Sequence, residues 1–522
     1  MTSLIPICAI ALLAAAPGGT ITITTASAEA AAAYVEAYDQ VVAGHGDLAR
    51  AAAKRALSLD PNLLLAQALL YSITPGVDSM KRVDAAAEAG KSLPEAERTE
   101  LAIYAANKHG DSEKARALEL RLLDLAPADW RTHVYVGATA FYLGHDVEEG
   151  KAQLLEAARL NPKGASVWTT LAAIAIEQGD RAGAADAQKK VADMRPDDPA
   201  AQADYAYALI TAGKLDEAEA TARKAAALPN ADAKPLAALA NVEFYRSQYA
   251  RGHQDVAKAR SLSKDENERM GLIIFDMMGY AAEGKYQGAM QAAAALEKEA
   301  RAKSNPNFYV AAAVNRAFAA NLLGKYGEAR KHAAEALARA EKEPLSDVGR
   351  QGGRRGAWVA AMWAQAFGNH TAEAEKTLAI LKADAAGSPN DRNLQSVAWW
   401  GRGVLDLARG DAKSAAEQMQ KCVPTFDLCH FHQAIAQEKA GDVAGAQATR
   451  GGRRRSGAEP ARPGRSSRVH PAPKAHRLAV RVVAGPRRSR SRPRPSAEKP
   501  AVCVRSLVCG APFLCIGGLP DQ

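Results

Sequence analysis

Residues 163–196 read KGASVWTTLAAIAIEQGDRAGAADAQKKVADMRP, and residues 197–228 continue DDPAAQADYAYALITAGKLDEAEATARKAAAL. The second block repeats the layout of the first. In the first, Gly179 is followed by Ala184, Val191 and Pro196; in the second, 34 residues on, Gly213 is followed by Ala218 and Ala225. Trp168 stands eleven residues before its glycine. Each block holds two helical patterns joined at a glycine. Self-similarity at a period of this length marks a chain of stacked helix–turn–helix units, none of which can bury its apolar face alone. The expected fold class is therefore all-α: a solenoid of helix pairs.

The same signal, a glycine with alanine five residues later, extends in both directions. It occurs at Gly44, Gly110, Gly179, Gly213, Gly284, Gly324, Gly410 and Gly441, at intervals of 66, 69, 34, 71, 40, 86 and 31. Intervals near 70 hold one degenerate unit each. Residues 75–92 form one such second helix, Ser247 replaces a turn glycine before Tyr249, and Gly368 opens a further turn. Glycine permits the tight turn. The small residue lets the second helix approach the first, and Pro61, Pro127, Pro162 and Pro196 end second helices. The pattern resembles the tetratricopeptide repeat at its aromatic, small-residue, Gly, Ala and Pro positions. The resemblance covers about residues 30–450 and implies about twelve helix pairs forming a superhelix that binds protein or peptide partners.

Two arrays are expected, 30–340 and 357–450, separated by a flexible loop at 341–356 (EKEPLSDVGRQGGRRG) rich in Gly and Arg. The chain is 522 residues long with a net charge of +9, but residues 451–522 hold 14 Arg, 2 Lys and 3 acids, +13 in all, leaving −4 on the rest. The solenoid thus offers no electrostatic case for nucleic acid. Segment 451–522 holds 10 of the 25 Pro and continues no helical period. It reads as a disordered basic tail able to meet nucleic acid or anionic surfaces, or as an out-of-frame translation of GC-rich DNA. The break in mid-helix favours the second. At the other end, Leu4–Ala16 is an apolar run suited to a secretory signal and too short to span a bilayer. Ala26-Ser27-Ala28 is a small-residue cleavage site, which makes 1–28 a signal peptide and Glu29 the first mature residue; an uncleaved anchor is the alternative, since no Lys or Arg precedes the run. The expected location is periplasmic or secreted.

Motifs that carry chemistry are weak. Gly279–Tyr286 has the spacing of a phosphate loop but lacks the final hydroxyl residue and a preceding strand. Cys422 and Cys429 flank a junction with His430 and His432 nearby; the spacing does not match a zinc site, and a disulfide or two buried thiols are the stronger readings. No catalytic residue, metal site or cofactor is expected. The resemblance implies that set positions of each first helix line the concave face. Counted from the turn glycines, these are Tyr207, Ile210, Phe244, Ile274, Met278, Val314, Phe318, Trp358, Met362, Trp400, Val404 and Leu407. The stripe is apolar and aromatic, suited to a helix or extended apolar peptide; tight curvature would instead bury it as core. Trp168 and Trp399 fall between helices. The expected function is a non-enzymatic interaction scaffold of a bacterial envelope, with an accessory subunit of a separate enzyme as the alternative.

Overall fold

A computed structural model describes residues 19–451, apart from 75, 76, 143 and 145. The apolar run Leu4–Ala16 and nearly all of the basic segment, 452–522, lie outside the described residues. Twenty-four α-helices follow one another, and no strand occurs among the described residues. The first four pairs are α1 (Ala28–Val42) with α2 (Gly46–Leu59), α3 (Leu64–Ser72) with α4 (Val77–Ala89), α5 (Glu95–Lys108) with α6 (Ser112–Leu125), and α7 (Trp130–Tyr142) with α8 (Val147–Leu160). Next come α9 (Ala165–Glu177) with α10 (Arg181–Met194), α11 (Pro199–Thr211) with α12 (Leu215–Ala226), α13 (Ala233–Tyr245) with α14 (Tyr249–Leu262), and α15 (Glu266–Glu283) with α16 (Tyr286–Ala302). The last four are α17 (Pro306–Leu322) with α18 (Tyr326–Lys342), α19 (Asp347–Phe367) with α20 (Thr371–Ala386), α21 (Arg392–Ala408) with α22 (Ala412–Met419), and α23 (Asp427–Lys439) with α24 (Val443–Gly451).

The turns explain the period. All eight signal glycines have positive φ, a region that costs a side chain about 1–2 kcal/mol. Ser247 stands in for the missing glycine at φ 63°. At the turn that Gly368 opens, Asn369 takes the left-handed position (φ 64°) and Gly368, the cap of α19, stays at φ −84°. Asparagine tolerates this region because its short amide bonds locally. Where Asp follows the turn glycine it caps the second helix. Asp111, Asp180 and Asp411 accept from the N–H groups of Lys114, Gly183 and Ser414 at 2.8–3.1 Å, each cap contributing about 1 kcal/mol.

Buried alanines line the helix contacts, and where an aromatic ring takes part, glycine makes room. The Phe244 ring lies between α14 and α15, where a Cβ on Gly252 or Gly279 would come within 2.3 Å or 2.5 Å of it. First helices of neighbouring pairs also touch, as α11 does α13 and α17 does α19. The winding is tight. α1 reaches α9, where Asp39 accepts from the Ser166 N–H (3.0 Å) and pairs with Arg195 (3.2 Å). Farther along, Gly179 lies against Pro424; a Cβ at Gly179 would be 3.1 Å from the proline ring.

The flexible loop expected at 341–356 is not present. Only residues 343–346 separate α18 from α19, and Asp347–Gly356 is the first half of α19. Its glycines are contact points. A Cβ on Gly353 would be 2.9 Å from Val310 and 3.1 Å from Ala340. Its arginines are anchored: Arg350 donates to the Ala340 carbonyl (2.7 Å), Arg354 pairs with Glu341 (2.6 Å) and Arg355 with Asp384 (2.7 Å). The array is therefore continuous from α1 to α24. The expected leader boundary at residue 28 also falls within packed chain, because Ser27 caps α1 through the Ala30 N–H (3.1 Å) and Ile21 is buried.

Candidate functional site

The predicted apolar stripe is mostly core. Ile210, Phe244, Ile274, Met278, Met362, Trp400, Val404 and Leu407 are buried, as is Val314; Tyr207, Phe318 and Trp358 are partly buried. The reason is that first helices of neighbouring pairs pack on one another, as α11 does on α13, α17 on α19 and α19 on α21. Trp400 is fully buried, with Phe426 and His432 edge-on to its ring and its indole N–H 3.2 Å from His432 Nδ1. Burial pushes the His432 imidazole down to about 4. Trp168 and Trp399 are partly buried; Trp168 donates to the Pro162 carbonyl (3.0 Å) and carries the Lys190 ammonium 3.4 Å above its ring.

Of the stripe, Trp358 lines open space. A cleft of about 470 Å³ opens between α18 and α20 over α19. Its apolar lining comes from Trp358, Ala361 and Ala357 of α19, Ala334 and Leu337 of α18, and Ile380 of α20, which is 41% exposed. Its mouth is charged and already paired: Arg330 donates to Glu373 (2.7 Å) and lies 2.6 Å from His370 Nε2, tying α18 to α20. Thr377 and Gln365 bond each other at 2.7 Å inside it. The cleft thus presents a flat aromatic face, aliphatic walls and a cationic edge (Arg330, Lys331). It suits an apolar side chain on a partner segment. Counting positions on first helices could not find its walls, which belong to second helices. The available signal was Leu337 and Ile380, aliphatic residues among the charges of α18 and α20.

Other polar clusters are structural. Arg131 sits between Asp129 (2.9 Å) and Glu100 (3.4 Å), and Tyr34 and Tyr135 donate to Glu100. Arg131 is 2% exposed and Glu100 0%, so no substrate reaches them. Burial pushes Glu100 up. It would push Asp129 up as well, but the Arg131 charge and hydrogen bonds outweigh it and hold Asp129 down. His253 lies 2.5 Å from Asp276 and stacks on Tyr280 at 4.0 Å. Cys422 and Cys429 are joined by a disulfide that spans the α22–α23 corner. No group of three His, Cys, Asp or Glu placed to hold a metal occurs among the described residues, nor any helix long and apolar enough to cross a membrane. Lys285, at the end of the phosphate-loop-like stretch, pairs with Glu283 (2.6 Å).

Neither a protein-family model nor a curated protein matches the sequence. Solved structures do. A tetratricopeptide repeat protein from Parabacteroides merdae ATCC 43184 is 16% identical, over 47% of this chain and 98% of that one, with a TM-score of 0.31. Yeast Tom70 is 15% identical over 82% and 90%, with a TM-score of 0.38. Cut9–Hcn1, the APC/C hetero-tetramer, is 17% identical over 62% and 63%, also at 0.38. The fold is an all-α solenoid of tetratricopeptide-like helix pairs. The described residues build it from twelve helix pairs, eight of whose turns carry a glycine at positive φ. In this array the Trp358 cleft lies between the second helices α18 and α20 of two consecutive pairs, with the first helix α19 as its floor.

Proposed function

We propose that this tetratricopeptide-repeat chain is a non-enzymatic protein-interaction scaffold of the bacterial envelope, and that it takes an apolar partner segment in the Trp358 cleft. The cleft carries the reading: an open aromatic floor on a continuous array, with Leu337 half-buried and Ile380 exposed on its walls. Phe244 and Trp400 of the stripe are buried and serve packing; Trp358 faces space a side chain could fill. The lining holds no nucleophile beside a base, and Arg330 is engaged with Glu373, which suits recognition better than reaction. Export draws support from the apolar run Leu4–Ala16 and from the Cys422–Cys429 bridge, since such bonds persist in oxidising compartments.

A photo-crosslinking residue placed at Ala334, at the cleft mouth, tests the binding reading in living cells. Val348, 76% exposed on α19, serves as control. A discrete protein adduct is expected at Ala334, absent at Val348, and reduced about tenfold or more by Trp358→Ala, as for an aromatic anchor of about 1.4 kcal/mol or more. Equal trapping at the two positions would remove the cleft from consideration. Recovery of the chain from the cytoplasmic fraction alone would remove the envelope.

A further inference from the structure

The segment before α1 is bound in an unexpected way. Gly19–Ser27 runs extended across the junctions between the first four repeats and makes a hydrogen bond at each. The Thr25 hydroxyl donates to Asp60, between α2 and α3. Thr24 donates to Glu97, in the first turn of α5, from its N–H (3.0 Å) and its hydroxyl (2.6 Å). The Ile21 N–H donates to Asp129, just before α7 (3.1 Å), and the Gly19 carbonyl accepts from the Ala128 N–H (2.7 Å). Ile21 is 5% exposed and fills an apolar site with Ile103, Leu122 and Ala126. The alternation Thr20-Ile21-Thr22-Ile23-Thr24 is that of an extended segment with an inner and an outer face.

The repeats depend on this segment. Glu97 is 1% exposed, and among the described residues its carboxylate takes hydrogen bonds from Thr24 alone. With the segment in place these bonds satisfy a carboxylate held out of water, and loss of the Thr24 hydroxyl alone leaves one of its oxygens without a donor. Burial already pushes Glu97 up, and the Thr24 bonds act against it. Removal at residue 28 would also strip α1 of its Ser27 cap and leave the Ile21 site empty. A second small-residue cleavage pattern lies earlier, at Ala16-Pro17-Gly18, directly after the apolar run Leu4–Ala16.

We propose that processing cuts between Gly18 and Gly19, and that Gly19–Ser27 stays in the exported chain as a strap locking the first three repeat junctions. The cleavage rests on the envelope reading; the strap does not. The full gene expressed with its own leader, followed by intact-mass and N-terminal sequencing of the envelope protein, reads the cut directly. Gly19 at the terminus is expected, and Glu29 would overturn the proposal. An uncleaved chain would overturn both the processing site and the export reading. The strap is read separately by comparing chains begun at Gly19 and at Glu29, and a Thr24→Val variant of the first. Loss of residues 19–28 is expected to lower the Tm by several degrees and to speed hydrogen exchange in α5 and α7, with Thr24→Val giving a smaller shift in the same direction. Identical melting of all three chains would overturn the strap.

Discussion

At the scale of single residues, the left-handed turn positions test the reading of the period most directly. Gly213 has open space around its missing Cβ, so Gly213→Ala carries backbone strain and little else. It is expected to cost about 1 kcal/mol. Ser247 already bears that strain at φ 63°, and Ser247→Gly is expected to return about 0.5–1 kcal/mol. Urea unfolding of the two variants should therefore move in opposite directions. His432 offers a second residue-scale test. Its folded value, about 4, lies below the ordinary 6.5. The unfolded chain consequently takes up the proton first as pH falls. Stability from this site is complete above pH 6.5 and is lost between there and pH 4, by about 3 kcal/mol. Indole fluorescence during urea unfolding reads the transition, since Trp363 and Trp400 adjoin the imidazole. His432→Gln, which keeps a polar amide but cannot titrate, is expected to flatten the difference between pH 7 and pH 4.5. An unchanged pH dependence in that variant would assign the effect to other groups.

At the scale of elements, the sequence was read well where a helix end has a chemical marker. A turn glycine or a closing Pro acts within one turn of chain, so Gly179 and Gly213 mark the α9–α10 and α11–α12 turns and Pro196 follows the end of α10. The reading failed at 341–356 because glycine has two opposite uses. In a loop it supplies freedom; in a helix it allows close approach. Only neighbours distant in sequence decide between them, here Val310 and Ala340 against Gly353. The three arginines misled in the same way, since their partners Ala340, Glu341 and Asp384 lie on adjacent helices. The difference has a direct consequence. A loop at this place would be the first target of trypsin, whereas α19 holds Arg350, Arg354 and Arg355 in helix until the array opens. Mass spectrometry of limited digests is expected to show no early cut after these residues. Gly353→Leu, which forces α19 from α17 and α18, should cost about 1–3 kcal/mol and make the cuts early.

At the scale of the whole molecule, the superhelix was legible as a type and its winding was not. Repeat spacing fixes that helix pairs stack; the small rotation between pairs, which decides whether a first-helix face is open groove or core, depends on side-chain packing summed over many repeats. The candidate stripe was therefore placed on the right helices, and most of it is buried by the adjacent repeats. Trp358 remained open because α18 and α20 part above it. The same winding makes one contact more important than its size suggests. Asp39 of α1 meets Ser166 and Arg195 four repeats away, and Arg195 also lies 3.3 Å from His45 Nδ1 and from Gln40 Oε1. In an open solenoid each repeat feels only its neighbours, so a lost contact is felt locally. Here α1 closes on α9, and a change at Arg195 must reach the chain's beginning. Arg195→Ala leaves a half-buried Asp39 carboxylate without its cation, a loss of about 1–3 kcal/mol. It should raise amide exchange in α1 and α2 as well as beside α10, while α21 and α22 stay as they are. Faster exchange confined to α10 and α11 would mean that the first five repeats are open and that the array behaves as independent neighbours throughout.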